Sequence, residues 1–201
     1  MHPVTAGPSK RQWRTQLLAA RRRVPAALRA AEAVALAAGA GALVEPGAVL
    51  CGYLPVGTEP GSAALLDQLL RRGVRVLLPV AREDAALSWA DYRGESQLRT
   101  APFGLREPTG PVLEPATVTL ADVVLVPALA VDRDGRRLGR GGGFYDRTLG
   151  LLGSATPVVA VVRDDELVNT LPAEPHDVPV GWALTPQGGL VALGGQCPAQ
   201  V

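Results

Sequence analysis

The chain has 201 residues, 47% of them hydrophobic, and a formal net charge of +1. That is enough length and apolar content for one packed α/β domain, and it argues against intrinsic disorder. Near-neutral charge excludes whole-molecule attraction to nucleic acid or to a membrane surface, so neither is expected as a partner.

Met1 to Pro8 reads as a disordered tail, residues 9–193 as a single domain, and residues 194–201 as a second tail. Ser9 is a good N-cap, with Gln12 three residues on completing a capping box. The helix from Lys10 to Arg23 can be wound on a wheel of about 100° per residue. Trp13, Leu17, Ala20 and Val24 then form a buried stripe. Lys10, Arg14 and Arg21 lie at its border, and Arg11, Arg22 and Arg23 face solvent. Lys10 is the only lysine in the chain.

Pro25 opens a second, Ala-rich helix to about Ala40, closed by Gly39 and Gly41. Its run from Val34 to Leu43 is too short to span a bilayer, and no signal-peptide core precedes it. Ala48 to Leu54 reads as a buried strand, and a loop carrying Glu59 follows it. Ser62 to Arg72 is a helix closed by Gly73. Val74 to Val80 is a second strand, and Leu87 to Tyr92 a third, possibly antiparallel, strand. Cys51 in the first strand and Cys197 near the end have no metal or redox spacing, which fits a reduced, cytoplasmic setting.

The richest stretch runs from Val126 to Arg147. An apolar strand, Asp122 to Val131, leads into a tight turn at Asp132-Arg133-Asp134-Gly135. Gly139, Gly141, Gly142 and Gly143 follow, and a helix from Phe144 to Leu152 leaves the loop. Backbone N–H groups of such a loop can converge on an anion, with Arg140 and Arg147 adding charge. Neither the dinucleotide G-x-G-x-x-G nor the P-loop pattern is present. Strands Pro157 to Val162 and Val178 to Thr185 complete a helix–strand alternation that predicts a three-layer α/β/α fold with a mostly parallel sheet.

The run L-A-V-D-R-D-G-R-R-L-G-R-G-G-G-F-Y-D-R, Leu129 to Arg147, resembles the signature of the 5-formyltetrahydrofolate cyclo-ligases, also called 5,10-methenyltetrahydrofolate synthetases. Val131 stands for that family's usual Phe and Phe144 for its first Tyr. The resemblance implies the fold shared with sugar-phosphate isomerases and CoA transferases. It implies ATP- and Mg²⁺-dependent conversion of 5-formyltetrahydrofolate to 5,10-methenyltetrahydrofolate, with ADP and phosphate released through an iminium phosphate. A monomer is expected.

The same resemblance assigns residues. Lys10 and Arg14 match an N-terminal K-x-x-x-R that contacts ATP phosphates. Gly139, Arg140, Gly141, Gly142, Gly143, Phe144, Tyr145, Asp146 and Arg147 would complete the ATP site. Leu54 and Glu59, with Arg140 and the loop from Gly141 to Phe144, would bind the folate. Asp146 and Asp177 would hold Mg²⁺, which takes one or two carboxylates plus phosphate oxygens and waters. Catalytic roles fall to Lys10, Arg140 and Tyr145. His176, in L-P-A-E-P-H-D, is a candidate acid–base group, and Glu107 in the F-G-L-R-E-P turn is expected to be structural.

Three other readings are compatible with parts of the sequence: a sugar-phosphate-binding protein on this fold, a catalytically altered homologue, and an RNA-binding module. The last lacks an aromatic-rich basic stripe.

Overall fold

The computed structural model describes residues 7–82, 85–175 and 177–194. His176 and Cys197, and most of both expected tails, lie outside the described residues. The chain enters through the Ser9 capping box, in which Ser9 Oγ accepts from the Gln12 N–H and Gln12 Oε1 accepts from the Ser9 N–H at 2.8 Å. It starts α1, Lys10–Arg23. Pro25 is the N-cap of α2, Ala26–Gly41, and β1 (Val49–Cys51), α3 (Ala63–Arg71), β2 (Arg75–Val80) and β3 (Ser88–Asp91) follow.

A hairpin, β4 (Leu98–Thr100) with β5 (Arg106–Pro108), precedes β6 (Val123–Pro127), β7 (Ala130–Asp132) and β8 (Arg137–Leu138). After α4 (Phe144–Leu149) come β9 (Val158–Val161), β10 (Leu167–Val168), β11 (Trp182–Thr185) and β12 (Gly189–Ala192).

The main sheet runs β12-β11-β9-β6-β1-β2-β3. Its five inner strands are parallel, while β3 and β12 pair antiparallel at the edges. Strand alternation sorts the core. Leu50, Val76, Leu78, Val123, Leu125, Val159 and Val161 face α2 and α3. Cys51, Leu77, Val124, Val126 and Ala160 face the other way. Both faces are buried, as a parallel sheet requires. The layer on the second face is thin: the short α4 and a 3₁₀ turn at Pro115–Leu120.

Several expectations change. The Asp122–Val131 strand is two strands: β6 stays in the main sheet, and after Ala128-Leu129 the chain joins a separate sheet, β10-β7-β8. The helix expected to run to Leu152 stops at Leu149, and the last expected strand begins only at Trp182. On α1, Ala20 is exposed and Arg21 is 2% exposed, so the buried face is turned toward the expected arginine border. The cause is an ion pair. Arg21 Nε and Nη2 donate to Glu166 at 2.6 and 2.7 Å, and Nη2 donates to the Ala128 carbonyl at 2.6 Å. A charge so paired can be buried where a lone one cannot.

Candidate active site

Parallel strands put the loops at their C-terminal ends on one side, and there the chain forms a cavity of about 500 Å³. β1 delivers Tyr53, Leu54 and Glu59 to it, β2 leads to Pro79 and Ala81, and β6 ends there at Pro127. The roof is α1, through Lys10, Arg14 and Arg21, and the arm bearing Glu174 and Asp177. The wall is Arg137 to Asp146.

The glycine loop sits between β8 and α4. Gly141 and Gly143 have φ of +104° and +67°, in the left-handed region where side chains are strained. A Cβ on Gly139 would lie 2.8 Å from Arg137 Nη1, so a side chain there would displace that guanidinium. Arg14 Nε donates to the Gly139 carbonyl at 2.9 Å, binding α1 to the loop.

Charged pairs dominate the cavity. Lys10 Nζ donates to Asp177 Oδ2 at 2.7 Å and to Glu174 Oε2 at 2.8 Å. Burial works against the ammonium, but the hydrogen bonds and charges of Asp177 and Glu174 outweigh it, and its pKa rises above the ordinary 10.5. Arg137, nearly covered, donates from Nη2 to Asp146 Oδ1 at 2.8 Å and lies 5.7 Å from the centre of the Tyr145 ring. Its Nε is buried without a hydrogen-bond partner among the described residues. Arg140 Nε donates to Glu59 Oε1 at 2.9 Å. Glu59 Oε2 in turn accepts the Val56 N–H at 2.9 Å, so its own loop holds it.

Burial, with the nearby Glu59 charge, pushes the Tyr145 hydroxyl well above its usual range. It is therefore a donor rather than a base at neutral pH.

Lys10, Arg14, Leu54, Glu59, the run from Gly139 to Asp146, and Asp177 thus line one cavity. Arg147 does not line it. Its guanidinium donates to the Gly142 and Ala85 carbonyls at 3.1 and 3.2 Å and lies over the Phe144 ring, bracing the loop from outside. Glu107 lines the cavity but accepts the Ala81 N–H at 3.2 Å, in keeping with a structural part. Sequence reasoning passed over Arg137, Glu174, Arg21 and Tyr53. Arg137 and Glu174 stood inside the quoted motifs; Tyr53 directly follows a strand end, where site residues gather.

No group of three or more His, Cys, Asp or Glu side chains is arranged to hold a metal among the described residues. Asp146 and Asp177 offer two carboxylates to the same cavity. That donor set fits a hard cation which draws its other oxygens from phosphate and water.

Fold and cavity together define a class: an α/β protein with an arginine-, lysine- and glycine-lined cleft at its strand ends. The family follows from comparison. A profile of the 5-formyltetrahydrofolate cyclo-ligase family matches residues 6–186. The 5-formyltetrahydrofolate cyclo-ligase of Mycolicibacterium smegmatis is 57% identical over 190 residues, 92% of this chain and 97% of that one. That of Escherichia coli K12 is 36% identical over 137 residues, 67% of this chain and 75% of the relative.

The NMR structure of Aquifex aeolicus 5,10-methenyltetrahydrofolate synthetase has a TM-score of 0.77 at 22% identity, covering 96% of both chains. It confirms the mostly parallel α/β fold. The chain belongs to the 5-formyltetrahydrofolate cyclo-ligase family and is a ligase of folate metabolism. No single helix is long and apolar enough to cross a membrane among the described residues.

Proposed function

We propose that this chain uses ATP and Mg²⁺ to close 5-formyltetrahydrofolate to 5,10-methenyltetrahydrofolate, releasing ADP and phosphate. One observation carries the reading: groups scattered from Lys10 to Asp177 in sequence line a single cavity that also holds the glycine loop. Family membership supplies the reaction class.

The chemistry asks the protein for position and charge, because the nucleophile belongs to the substrate. Glu59 orients the pterin from a loop that its own carboxylate fixes. The formyl oxygen attacks the γ-phosphorus, the bond to ADP breaks, and the formyl carbon is left activated as an iminium phosphate. N10 then attacks that carbon, closing the ring, its proton passes to the phosphate oxygen, and the carbon–oxygen bond breaks as phosphate leaves.

Lys10, Arg14, Arg140 and the loop N–H groups offset the charge that builds on the transferring phosphoryl group. Tyr145 donates its hydroxyl proton as a hydrogen bond to a phosphate oxygen. Asp146 and Asp177 would hold Mg²⁺, which would supply positive charge to offset that of the phosphates. For that to happen Lys10 and Arg137 must release the carboxylates they hold, and phosphate is the partner that takes both cations in exchange.

The test is direct. Protein, 5-formyltetrahydrofolate and MgATP should give the near-ultraviolet absorbance of the methenyl product together with ADP. Absence of both products overturns the reading. The proposal includes a cytoplasmic monomer in which residues 9–193 unfold as one unit, checked by light scattering, cell fractionation and a single cooperative unfolding transition.

A further inference from the structure

Asp132 has no exposed surface and does not line the cavity, yet its carboxylate joins the two segments that do. Oδ1 accepts the Asp134 and Arg136 N–H groups at 3.0 and 2.8 Å, closing the turn between β7 and β8. Oδ2 accepts the Leu171 N–H at 2.9 Å, from 39 residues downstream. The turn leads through β8 into the glycine loop. Leu171 begins the arm that carries Glu174 and Asp177.

The backbone shows why a side chain is needed there. β10 pairs in parallel with β7, and the pairing ends at Val168 opposite Asp132. The chain then leaves the small sheet, and the Asp132 carboxylate recaptures it at Leu171. The arm beyond is a closed unit: Asp177 N–H donates to the Glu174 carbonyl at 3.0 Å, and Glu174 N–H to Asp177 Oδ2 at 2.8 Å. The turn itself cannot drift. The Val180 N–H donates to the Gly135 carbonyl at 2.9 Å, and a Cβ on Gly135 would lie 2.3 Å from the Val180 oxygen.

We propose that Asp132 is a positioning residue that fixes the Leu171–Asp177 arm against the glycine loop and so sets the spacing of the two halves of the phosphate site. This role rests on the reading above, in which both segments contact MgATP.

Asp132→Asn separates the two functions of the carboxylate. With its oxygen kept on the Asp134 and Arg136 N–H groups, the amide NH₂ must face the Leu171 N–H, donor against donor. The turn keeps both backbone hydrogen bonds to the side chain, losing only the 3.3 Å contact of Oδ2 with Arg136 Nη1, and the arm is released. Leu171 still packs with Leu17, Leu129, Ala130 and Leu138, so folding does not depend on the lost bond alone.

Hydrogen exchange read by NMR gives the first measurement. In the unaltered protein the Leu171, Asp134 and Arg136 amides should be protected together, because one buried carboxylate holds all three. In Asp132→Asn, Leu171 should exchange about 10-fold faster or more while the other two stay protected. The KM for ATP should rise about 10–100-fold, the range for groups that hold a ligand-binding residue in place. The KM for 5-formyltetrahydrofolate should stay within about twofold.

A freely exchanging Leu171 amide in the unaltered protein overturns the proposal, even if the variant fails to fold. So does a variant in which both KM values move equally, or neither moves. Failure of the underlying MgATP reading looks different: Asp177→Asn would leave the KM for ATP unchanged while Leu171 exchange still responded to Asp132→Asn.

Discussion

Lys10 and Asp177 lie 167 positions apart in the chain and meet with Nζ 2.7 Å from Oδ2. The sequence resemblance assigns the first to phosphate and the second to metal. On the proposed reading, binding of MgATP would exchange this ion pair for two, Lys10 with phosphate and Asp177 with the metal.

Lys10→Ala should therefore act on ATP. A charge-assisted hydrogen bond contributes about 1.5–3 kcal/mol, so the KM for ATP should rise about 10–100-fold. The folate KM should change little, because Glu59 stands on another loop, and Lys10→Arg should recover part of the loss. Steady-state kinetics with each substrate varied in turn checks this. A normal ATP dependence would leave Lys10 as a structural partner of Asp177 and Glu174.

Asp146→Asn keeps an acceptor for Arg137 Nη2, so its thermal stability should stay near that of the parent, whereas Asp146→Ala strands a guanidinium that is only 4% exposed. Losing one metal-holding carboxylate should cost on the order of 100-fold in kcat/KM, a loss of about 2.7 kcal/mol. Excess chelator should abolish turnover in the parent. Full activity in chelator, or in Asp146→Asn at limiting Mg²⁺, removes the metal assignment.

Glu59→Gln should show the opposite selectivity. The amide can still accept the Val56 N–H, so the loop persists, but the charge facing Arg140 is gone. The folate KM should rise about 10-fold with the ATP KM unchanged. Isothermal titration with each ligand separates the two.

Glu166→Ala should destabilise the fold by about 3–5 kcal/mol, because it leaves the buried Arg21 without its counter-charge. The double variant Arg21→Met/Glu166→Leu should recover most of that loss. Urea unfolding of the three proteins decides it, and a single variant costing under about 1 kcal/mol would contradict a buried pair.

Asp164 supplies a pH signature. Burial works to raise its pKa, but hydrogen bonds from Thr185 and from the Gly188 and Gln187 N–H groups outweigh that and lower it below the ordinary 3.8. A lowered folded-state pKa gives stability that is present above the unfolded value and lost as pH falls through the folded one. The stability gap between the parent and Asp164→Asn should be constant above about pH 5 and close progressively below 3.8. Denaturant titrations across that range measure it.

Local signals were legible in the sequence because they act over a few residues: the Ser9–Gln12 box, the Gly135 turn and the glycine loop all stand where expected. The break within Val123–Asp132 was not. Ala128 and Leu129 are as apolar as their neighbours, and hydrophobicity does not record a change of sheet. Arg21 escaped for a related reason. A helical wheel scores arginine as polar, and its burial depends on Glu166, 145 positions away. The expected site residues came from the Leu129–Arg147 motif and from shorter stretches around Lys10, Glu59 and Asp177, whereas Arg137 Nη2 on Asp146 is a matter of three-dimensional reach.

α1 precedes every strand of the main sheet in the chain, yet its polar partners Ala128, Gly139, Glu166 and Asp177 lie 107 to 167 positions downstream. While α2, α3, β1 and β2 can begin to associate early, α1 has to wait for Ala128 and the residues beyond it before Lys10, Arg14 and Arg21 find their counterparts. Closing so long a loop is entropically slow. A nascent or truncated polypeptide ending before Glu166 would carry the first strands of the sheet without an assembled roof over the cleft. The cavity is in this sense a late product of folding: it closes only once residues as far as Asp177 have met α1.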